Sequence, residues 1–306
     1  MLNIQEEVSL KDFTTFKIGG RTKYFIKASN DNEIKGAVKW TKEKKLPFFI
    51  LGGGSNILFS DSDYNGVIIK IENRELNFKG NEVIAGAGIV FLKLILFCKE
   101  KSLSGLEWGA GIPGTVGGAI FGNAGAFGGE VKNNIKEVLA VDKETLEEKR
   151  FSSKDCKFSY RNSIFKKTKK YIISSGIFSL EKKEKGEIGR VIREHILYRK
   201  EHHPLGQPSA GSIFKNIKTK DIENSLLERF FEFKEKAEVP AAYIIDKAGL
   251  KGKRVGGAKI SEKHTNFIVN YDNAKAKDII SLINFIKGEV KKKFDIELKE
   301  EVIIIK

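Results

Sequence analysis

Two glycine-rich segments have the residue types and spacing that could hold a phosphorylated ligand. The first consists of Gly52, Gly53, Gly54, Ser55 and Asn56 and follows a short apolar run. Glycines let backbone N–H groups approach a phosphate closely, and the Ser and Asn side chains add donors. The segment lacks both the Gly-Lys-Ser/Thr ending of ATPase phosphate loops and the spacing of the dinucleotide fingerprint. Taken alone, it leaves a phosphate loop and a tight turn both open.

The second glycine-rich segment, Gly109–Gly129, is more specific. Glycine and alanine make up more than half of it, and it contains a single proline. Few side chains would therefore stand between the backbone and a ligand, and a structural turn does not need so many small residues. We interpret the segment as backbone wrapped around a large flat or phosphorylated ligand.

Alternating helical and strand periodicities predict a small α/β unit in the first ~70 residues. A helix is predicted from Asp31 to Lys45, with Asp31 as its N-cap, before a strand at Phe48–Leu51. Further predicted helices are 90–101, 187–199, 241–248 and 276–294, and further strands are 66–71, 82–85, 135–142, 171–180 and 267–270. The stretch Ile296–Lys306 is predicted as a strand that pairs with an earlier one, and the first unit's sheet is one possibility.

The composition restricts the class of protein and its surroundings. The 306 residues carry a formal net charge of +15, which favours anionic partners without identifying them. Nucleic acid, a nucleotide sugar and NADPH all qualify, as does a solvated surface, but the lysines are spread rather than clustered with aromatics. The two cysteines form no disulfide framework, the N-terminus is acidic, and no apolar run approaches ~18 residues. We expect a cytoplasmic protein with no membrane insertion.

Several motifs in order resemble one family. L-G-G-G-S-N-x-L, followed by G-x-P-G-x-x-G-G-A-x-x-x-N-A-G-A-F-G, resembles the UDP-N-acetylenolpyruvoylglucosamine reductase family. Further matching motifs lie at 14–20, 158–165, 208–216, 244–252, 255–270 and 300–302. The resemblance therefore covers nearly the whole chain.

The resemblance implies an α+β fold of the vanillyl-alcohol-oxidase-like (PCMH-type) group. Its FAD-binding part would comprise two α+β domains, 1–72 (with 296–306 returning as a strand) and 73–203, and a C-terminal α+β substrate domain would span 204–295. FAD would be the cofactor. Its expected contacts are Gly52, Gly53, Gly54, Ser55, Asn56, Ile112, Pro113, Gly114, Gly118, Gly125 and Ala126.

The resemblance also implies a reaction and its catalytic residues. NADPH reduces FAD, and the reduced flavin passes hydride to the enolpyruvyl ether of UDP-N-acetylglucosamine, which gives UDP-N-acetylmuramate for peptidoglycan, and hence for cell-wall biogenesis, cell shape and division. Arg161 matches the arginine that stabilises the developing charge, and Ser212 matches the general acid. Glu301, favoured over Glu300 by its spacing to Val302, matches a carboxylic residue whose pKa should be raised beside that charge. We expect Arg161, Ser212 and Glu301 to converge on the far side of the flavin.

Other polar residues are assigned less specific roles. Asn216 and His264 align with substrate contacts of the family, although His264 could equally be a buried structural histidine. The pair His202-His203 does not predict a metal site, because adjacent histidines point differently and no acidic or cysteine partner stands nearby. Many relatives have a diphosphate-contacting lysine near His202, so here Lys200 or a histidine must serve.

The segment between Arg161 and Gly186 is short. It leaves no room for the inserted loop that, in some members of the family, carries a tyrosine over the substrate. The chain therefore resembles the shorter subtype, and the substrate must be covered by other residues.

Two other functions remain open at this stage. An FAD oxidase or dehydrogenase of alcohols or hydroxy acids would share the fold, but it would leave Arg161, Ser212 and Glu301 unexplained, and the glycine-rich segment has no flavin-linking His or Cys. A basic, non-enzymatic nucleic-acid-binding protein would be colourless and would bind in a salt-dependent manner. We favour the reductase, acting as a monomer on NADPH and the nucleotide sugar, with no nucleic-acid partner.

Overall fold

The computed structural model describes residues 2–306, so Met1, the first residue of the predicted 1–72 segment, lies outside it. The chain divides into two compact units. The first unit comprises 2–8, 22–53 and 64–201, and the second comprises 9–21, 54–63 and 202–306. Each unit has its own buried apolar core.

The helices and strands have the following bounds. The helices are α1 (Asp31–Glu43), α2 (Phe91–Glu100), α3 (Val116–Gly122), α4 (Ile164–Thr168), α5 (Lys185–His202), α6 (Asn224–Leu227), α7 (Ala241–Lys247) and α8 (Ala276–Phe294). The strands are β1 (Ile4–Ser9), β2 (Arg21–Ala28), β3 (Phe48–Leu51), β4 (Ile57–Phe59), β5 (Tyr64–Ile71), β6 (Leu76–Lys79), β7 (Glu82–Gly86), β8 (Leu103–Ser104), β9 (Gly125–Ala126), β10 (Gly129–Glu130), β11 (Ile135–Asp142), β12 (Glu148–Ser152), β13 (Tyr171–Ser179), β14 (Glu181–Lys182), β15 (Ser209–Ser212), β16 (Ile217–Lys218), β17 (Glu238–Val239), β18 (Arg254–Val255), β19 (Ala258–Ile260), β20 (Phe267–Asn270) and β21 (Ile303–Ile305).

A small sheet in the order β1-β2-β5-β3 begins the first unit. β5 runs parallel to both β2 and β3, and its buried run Val67–Ile69 is wholly apolar, as expected of a strand covered on both faces. α1 packs its buried stripe, which includes Ile34 and Val38, into the same core. Its N-cap is Asn30, whose side chain accepts the Glu33 N–H, so the prediction of Asp31 as the cap was wrong by one residue.

An antiparallel sheet in the order β12-β11-β13-β7-β6 completes the first unit. α3 lies against β13 at Gly176. A larger residue would crowd this contact, because a Cβ there would come within 2.7 Å of Ile120 Cδ1. The glycine-rich segment 109–129 therefore contains a helix packed closely on this sheet. α5 extends from Lys185 to His202, further at both ends than its apolar stripe predicted.

The second unit is built on the sheet β15-β20-β19-β18 and the long helix α8. α8 buries an apolar stripe of Ile279, Leu282, Ile283, Ile286 and Val290. The C-terminal strand is shorter than predicted, because only Ile303–Ile305 form β21. This strand pairs in parallel with β4 and not with the sheet β1-β2-β5-β3 of the first unit. Residues 296–299 lie outside the strands and bury Ile296 and Leu298, and Lys299 O accepts the Lys215 N–H at 2.9 Å.

Contacts with the C-terminal half explain why 9–21 and 54–63 belong to the second unit. Besides the β4–β21 pairing, Asp61 accepts the Ala276 N–H at 2.7 Å at the start of α8, and Asn270 Nδ2 donates to Phe16 O at 3.1 Å. The predicted boundary at 72/73 therefore does not coincide with the division between compact units. The assignment of cofactor and substrate roles to the segments 1–72, 73–203 and 204–295 stays a prediction.

Among the described helices, none combines the length and the apolar composition that a membrane-spanning segment requires.

Candidate functional site

Within the first unit, the start of the first glycine loop lies directly on the second glycine-rich segment. A Cβ on Gly53 would come within 2.6 Å of Gly114 Cα, and one on Gly52 within 2.9 Å of Thr115 Oγ1. Backbone therefore meets backbone at this point, and a side chain at Gly53 would separate the two segments. Thr115 also caps α3, since its Oγ1 accepts the Gly118 N–H at 3.4 Å.

The second glycine-rich segment leaves open space beside this contact. A Cβ on Gly118 would meet only Thr115 Oγ1, at 3.7 Å, and one on Gly122 would meet nothing within 4 Å. Backbone without side chains, next to open space, suits a large phosphorylated and aromatic ligand, whose phosphates can accept from backbone N–H groups. The residues present thus fit FAD, with Gly114 and Gly118 on the side of the segment that faces the first loop.

Lys70 is a residue of this region that sequence reasoning missed. Its Nζ donates a hydrogen bond to Gly52 O, and burial lowers the pKa of its amine. The side chain fixes the first glycine loop and brings positive charge beside it. The sequence did carry a signal for this residue, because Lys70 interrupts the apolar run Val67–Ile71.

The end of the first glycine loop belongs to the second unit and reaches the predicted catalytic Glu301. Gly54 has a φ of +65°, and a Cβ there would come within 1.9 Å of Phe13 O, so only glycine fits. Asn56 Nδ2 donates to Glu301 O at 3.1 Å, and Ile303 N–H donates to Asn56 O at 3.0 Å. A predicted cofactor contact and a predicted catalytic residue are therefore hydrogen-bonded neighbours.

Arg161 lies at the tip of a tight turn in the first unit. Ser159 and Asn162 exchange backbone hydrogen bonds at 3.0 and 3.1 Å, which leaves Tyr160 and Arg161 as the two central residues. Arg161 has a φ of +52°, a conformation that costs a non-glycine residue about 1–3 kcal/mol and is frequent at functional sites. Its Nη2 donates to Gly125 O at 2.8 Å, so the guanidinium contacts the predicted cofactor segment.

Asn123 joins the Arg161 turn to the glycine-rich segment, and sequence reasoning did not single it out. It is fully buried, with Nδ2 donating to Ser159 O at 3.0 Å and Oδ1 accepting the Lys132 N–H at 3.0 Å. The left-handed φ of +44° at Asn123 also ends α3. An asparagine among glycines and alanines was the available signal, because asparagine tolerates this conformation better than most residues.

Ser212 ends β15 in the second unit, on backbone fixed by Asn266. Ser212 pairs with Phe267 across the sheet, and beyond it Phe214 and the buried Asn266 side chain exchange two hydrogen bonds of 2.9 Å. A Cβ at Gly211, which precedes the serine, would meet nothing within 4 Å. Ser212 therefore lies at a hydrogen-bonded strand end, and the space beside Gly211 is open.

Glu300 and Glu301 have different hydrogen-bond partners in the second unit. Glu301 N–H donates to Ile213 O at 2.7 Å, which places Glu301 beside the residue that follows Ser212. The Glu300 side chain instead accepts from Lys287 on α8 at 2.8 Å. Burial opposes ionisation of Glu300, but the Lys287 contact leaves the pKa of that carboxyl lowered. Glu300 therefore has a structural partner on α8.

Asn216 and His264 lie in the second unit with contacts of their own. Asn216 Nδ2 donates to Glu238 at 3.2 Å, and its Oδ1 accepts the Ala241 N–H at 3.3 Å at the start of α7. The His264 ring packs edge-on against Phe267 at 4.7 Å, and its Nδ1 is buried without a hydrogen-bond partner among the described residues. Their predicted role as substrate contacts stays a prediction.

His264 should make stability pH-dependent in acid. Burial, with a smaller effect of nearby His202, lowers the pKa of His264 to about 4 from 6.5. Between these values the unfolded chain binds a proton that the folded chain does not, so the free energy of unfolding should fall as pH is lowered, by up to about 3 kcal/mol. Urea unfolding of the wild type and His264→Gln from pH 8 to pH 4 tests this, since the variant should lose that part of the slope. Equal slopes would contradict it.

The catalytic candidates are distributed over both units. In the second unit, Glu301 N–H donates to O of Ile213, the neighbour of Ser212, and Asn56 Nδ2 donates to Glu301 O. Arg161 is instead anchored on Gly125 in the first unit. The expected convergence of Arg161 with Ser212 and Glu301 stays a prediction.

The fold and the glycine-lined site define an FAD-dependent oxidoreductase. Residues 22–145 match a family model described as an FAD binding domain, and residues 203–305 match the C-terminal domain of UDP-N-acetylenolpyruvoylglucosamine reductase. The chain belongs to the UDP-N-acetylenolpyruvoylglucosamine reductase family. Its relatives of that name include those from Alkaliphilus oremlandii (39% identity; 97% of this chain and 91% of the relative) and Thermotoga sp. strain RQ2 (39%; 95% and 90%).

A solved structure agrees with this membership. The crystal structure of UDP-N-acetylenolpyruvylglucosamine reductase from Thermus caldophilus superposes with a TM-score of 0.80 at 29% identity and covers 100% of both chains. The predicted α+β FAD-binding fold is confirmed, and so are FAD as cofactor and NADPH as co-substrate.

Proposed function

We propose that Arg161, Ser212 and Glu301 carry the substrate chemistry of this reductase. The reaction is the reduction of the enolpyruvyl ether of UDP-N-acetylglucosamine to UDP-N-acetylmuramate in peptidoglycan precursor synthesis. FAD, when bound, supplies hydride transfer from NADPH to the vinyl group. The protein must then stabilise negative charge beside the substrate carboxylate and deliver a proton to the adjacent carbon.

Ser212 is proposed as the proton donor. A serine hydroxyl is a weak acid in water, so it needs fixed geometry and a route by which the proton is replaced. Support for the geometry comes from the β15–β20 pairing and from the Asn266 bonds that follow Ser212. The proton would pass from Ser212 Oγ to the substrate carbon next to the carboxylate.

Arg161 is proposed to bind the substrate carboxylate as charge develops on it. A guanidinium offers donors in a planar fork that matches a carboxylate, and preorganised donors stabilise charge without reorganisation. The left-handed backbone of Arg161 and the bond from its Nη2 to Gly125 O favour a preorganised role, because both fix the side chain relative to its own unit.

Glu301 is proposed to orient or polarise groups around the same intermediate. The observation that carries the assignment is the backbone connection from Ile213 O to Glu301 N–H and from Glu301 O to Asn56 Nδ2. Through it, the proposed acid Ser212, the proposed carboxyl group and the proposed cofactor contact Asn56 belong to one hydrogen-bonded part of the second unit. The ion pair of Glu300 with Lys287 further favours Glu301 over its neighbour.

A two-step anaerobic experiment tests the proposed function. The purified protein should be yellow and should bleach with NADPH, and rapid mixing with the enolpyruvyl nucleotide sugar should restore the oxidised flavin spectrum. A flavin oxidase would instead be reoxidised rapidly by oxygen and not by this substrate. A colourless protein that binds no added FAD, or reduced protein that the substrate does not reoxidise, would refute the proposal.

The surroundings of the enzyme complete the proposal. We place it in the cytoplasm, where NADPH and nucleotide sugars are available. Its cysteines, Cys98 and Cys156, are buried and unpaired, as expected in a reduced compartment.

The protein is proposed to act as a monomer. Sedimentation at working concentration tests this.

A further inference from the structure

Arg199 is a buried cation beside the second glycine-rich segment. The residue is only 8% exposed, its Nε donates to Ala110 O at 2.9 Å, and burial lowers the pKa of its guanidinium. Its Nη2 is buried without a hydrogen-bond partner among the described residues, and none of the described acidic side chains forms an ion pair with it. A guanidinium in this position lacks both a counter-ion and one of its hydrogen bonds.

The side chain is held in place by the glycine-rich segment itself. A Cβ on Gly111 would come within 2.7 Å of Arg199 Cδ, so the segment passes directly over the arginine stem. The guanidinium carbon lies 5.2 Å from the centre of the Phe127 ring, and Phe127 stacks on His195 with ring centres 4.0 Å apart. His195 is itself bonded to Glu107 O at 2.9 Å. Arg199 is therefore preorganised rather than mobile.

An unpaired buried charge is costly unless an opposite charge arrives. The ring of Phe127 offsets part of this cost through its negative face but leaves Nη2 without an acceptor. The ligand expected along this segment supplies anionic oxygens, namely the diphosphate of FAD and, after reduction, the pyrimidine side of the flavin. We propose that Arg199 Nη2 donates a charge-assisted hydrogen bond to an anionic oxygen of bound FAD, an inference that rests on the FAD chemistry of the proposed function.

Replacement of Arg199 should weaken cofactor binding without harming the flavin-free fold. In Arg199→Met, the dissociation constant of oxidised FAD or the midpoint potential of the flavin should change, whereas flavin-free protein should be at least as stable as wild type because a buried charge is removed. The rise in melting temperature on adding FAD should shrink. Arg190→Met is the matched control, because Arg190 lies exposed on the same helix and pairs with Glu194.

Two measurements on the holoenzyme distinguish the two anionic parts of FAD. Equilibrium dialysis with flavin fluorescence gives the dissociation constant, and equilibration with a reference dye gives the two-electron midpoint potential. A diphosphate contact should weaken oxidised and reduced FAD alike, at least tenfold, and leave the potential unchanged. A contact to the reduced flavin should lower the potential, by about 30 mV for each tenfold loss of affinity specific to the reduced form.

The outcomes separate this inference from the proposed function. An unchanged or tighter dissociation constant together with an unchanged potential in Arg199→Met would overturn the inference, even though wild-type protein binds FAD normally. Wild-type protein that binds no FAD would instead refute the proposed function. If Arg199→Met does not fold, Arg199→Lys takes the same test, with at least a threefold loss of affinity or a lowered potential expected because its ammonium lacks the planar fork.

Discussion

Ser212→Ala should leave the reduction of the flavin by NADPH unchanged and slow its reoxidation by the enolpyruvyl substrate by about 10²–10⁴-fold. The substitution removes the proposed proton donor but none of the backbone bonds that order the end of β15. Hydride transfer to the substrate would then lack the protonation that makes it productive. Stopped-flow absorbance of the flavin measures the two half-reactions separately.

Two further variants distinguish a role of Ser212 as proton donor from a structural role. Ser209→Ala changes a serine of the same strand that has no proposed role, so both of its half-reactions should keep wild-type rates. Ser212→Cys keeps a side chain that can donate a proton and should recover part of the lost rate. Equal slowing of both half-reactions in Ser212→Ala would show that the residue is structural and not the acid.

Gly53→Val should abolish flavin retention. Its first side-chain carbon would come within 2.6 Å of Gly114 Cα, and because that neighbour is backbone it cannot move aside as a side chain could. The first loop and the segment 109–129 must separate, at a cost of about 1–3 kcal/mol for overpacking. The flavin-to-protein ratio after purification should fall below a tenth of the wild-type value, and the melting temperature should fall with it.

Gly288→Ala provides the opposite result under the same assays. Gly288 is an exposed residue of α8, and a Cβ there would meet nothing within 4 Å. Alanine favours a helix over glycine, so the variant should gain about 0.5–1 kcal/mol and keep its flavin. Full flavin content in Gly53→Val would mean that the contact between the two glycine-rich segments is not needed for cofactor binding.

Local patterns predicted the elements well where one periodicity ran uninterrupted. α8 begins and ends where its apolar stripe predicted, and β3 has the predicted bounds Phe48–Leu51. Ends set by adjacent polar residues were harder, because Asn30 and Asp31 can each cap a helix and only the three-dimensional geometry selects one. The predicted start of α5 missed its first two residues, Lys185 and Gly186, because both are exposed and neither adds to the apolar stripe.

Long-range pairings could not be read from the sequence. Nothing in the letters of β4 or β21 indicates that these two short apolar runs pair with each other and not with the larger sheet. Lys70 and Arg199 were missed because their importance depends on their surroundings in the fold. Lys70 meets Gly52 O, whereas Arg199 is buried with Nη2 unpaired among the described residues. Motif order identified Ser212 and Glu301, but their proximity through Ile213 required the structure.

The pairing of β4 with β21 has a consequence for how the protein is made. Asn56 and Glu301 are separated by 245 positions. The ribosome must therefore deliver all of the first unit, which ends at residue 201, before β4 can pair with β21. During that interval the apolar strand β4 has no partner. We expect the first unit to fold while the second is still being synthesised, so that the proposed acid and carboxyl groups come together last, after Gly52 and Gly53 have packed on the segment 109–129.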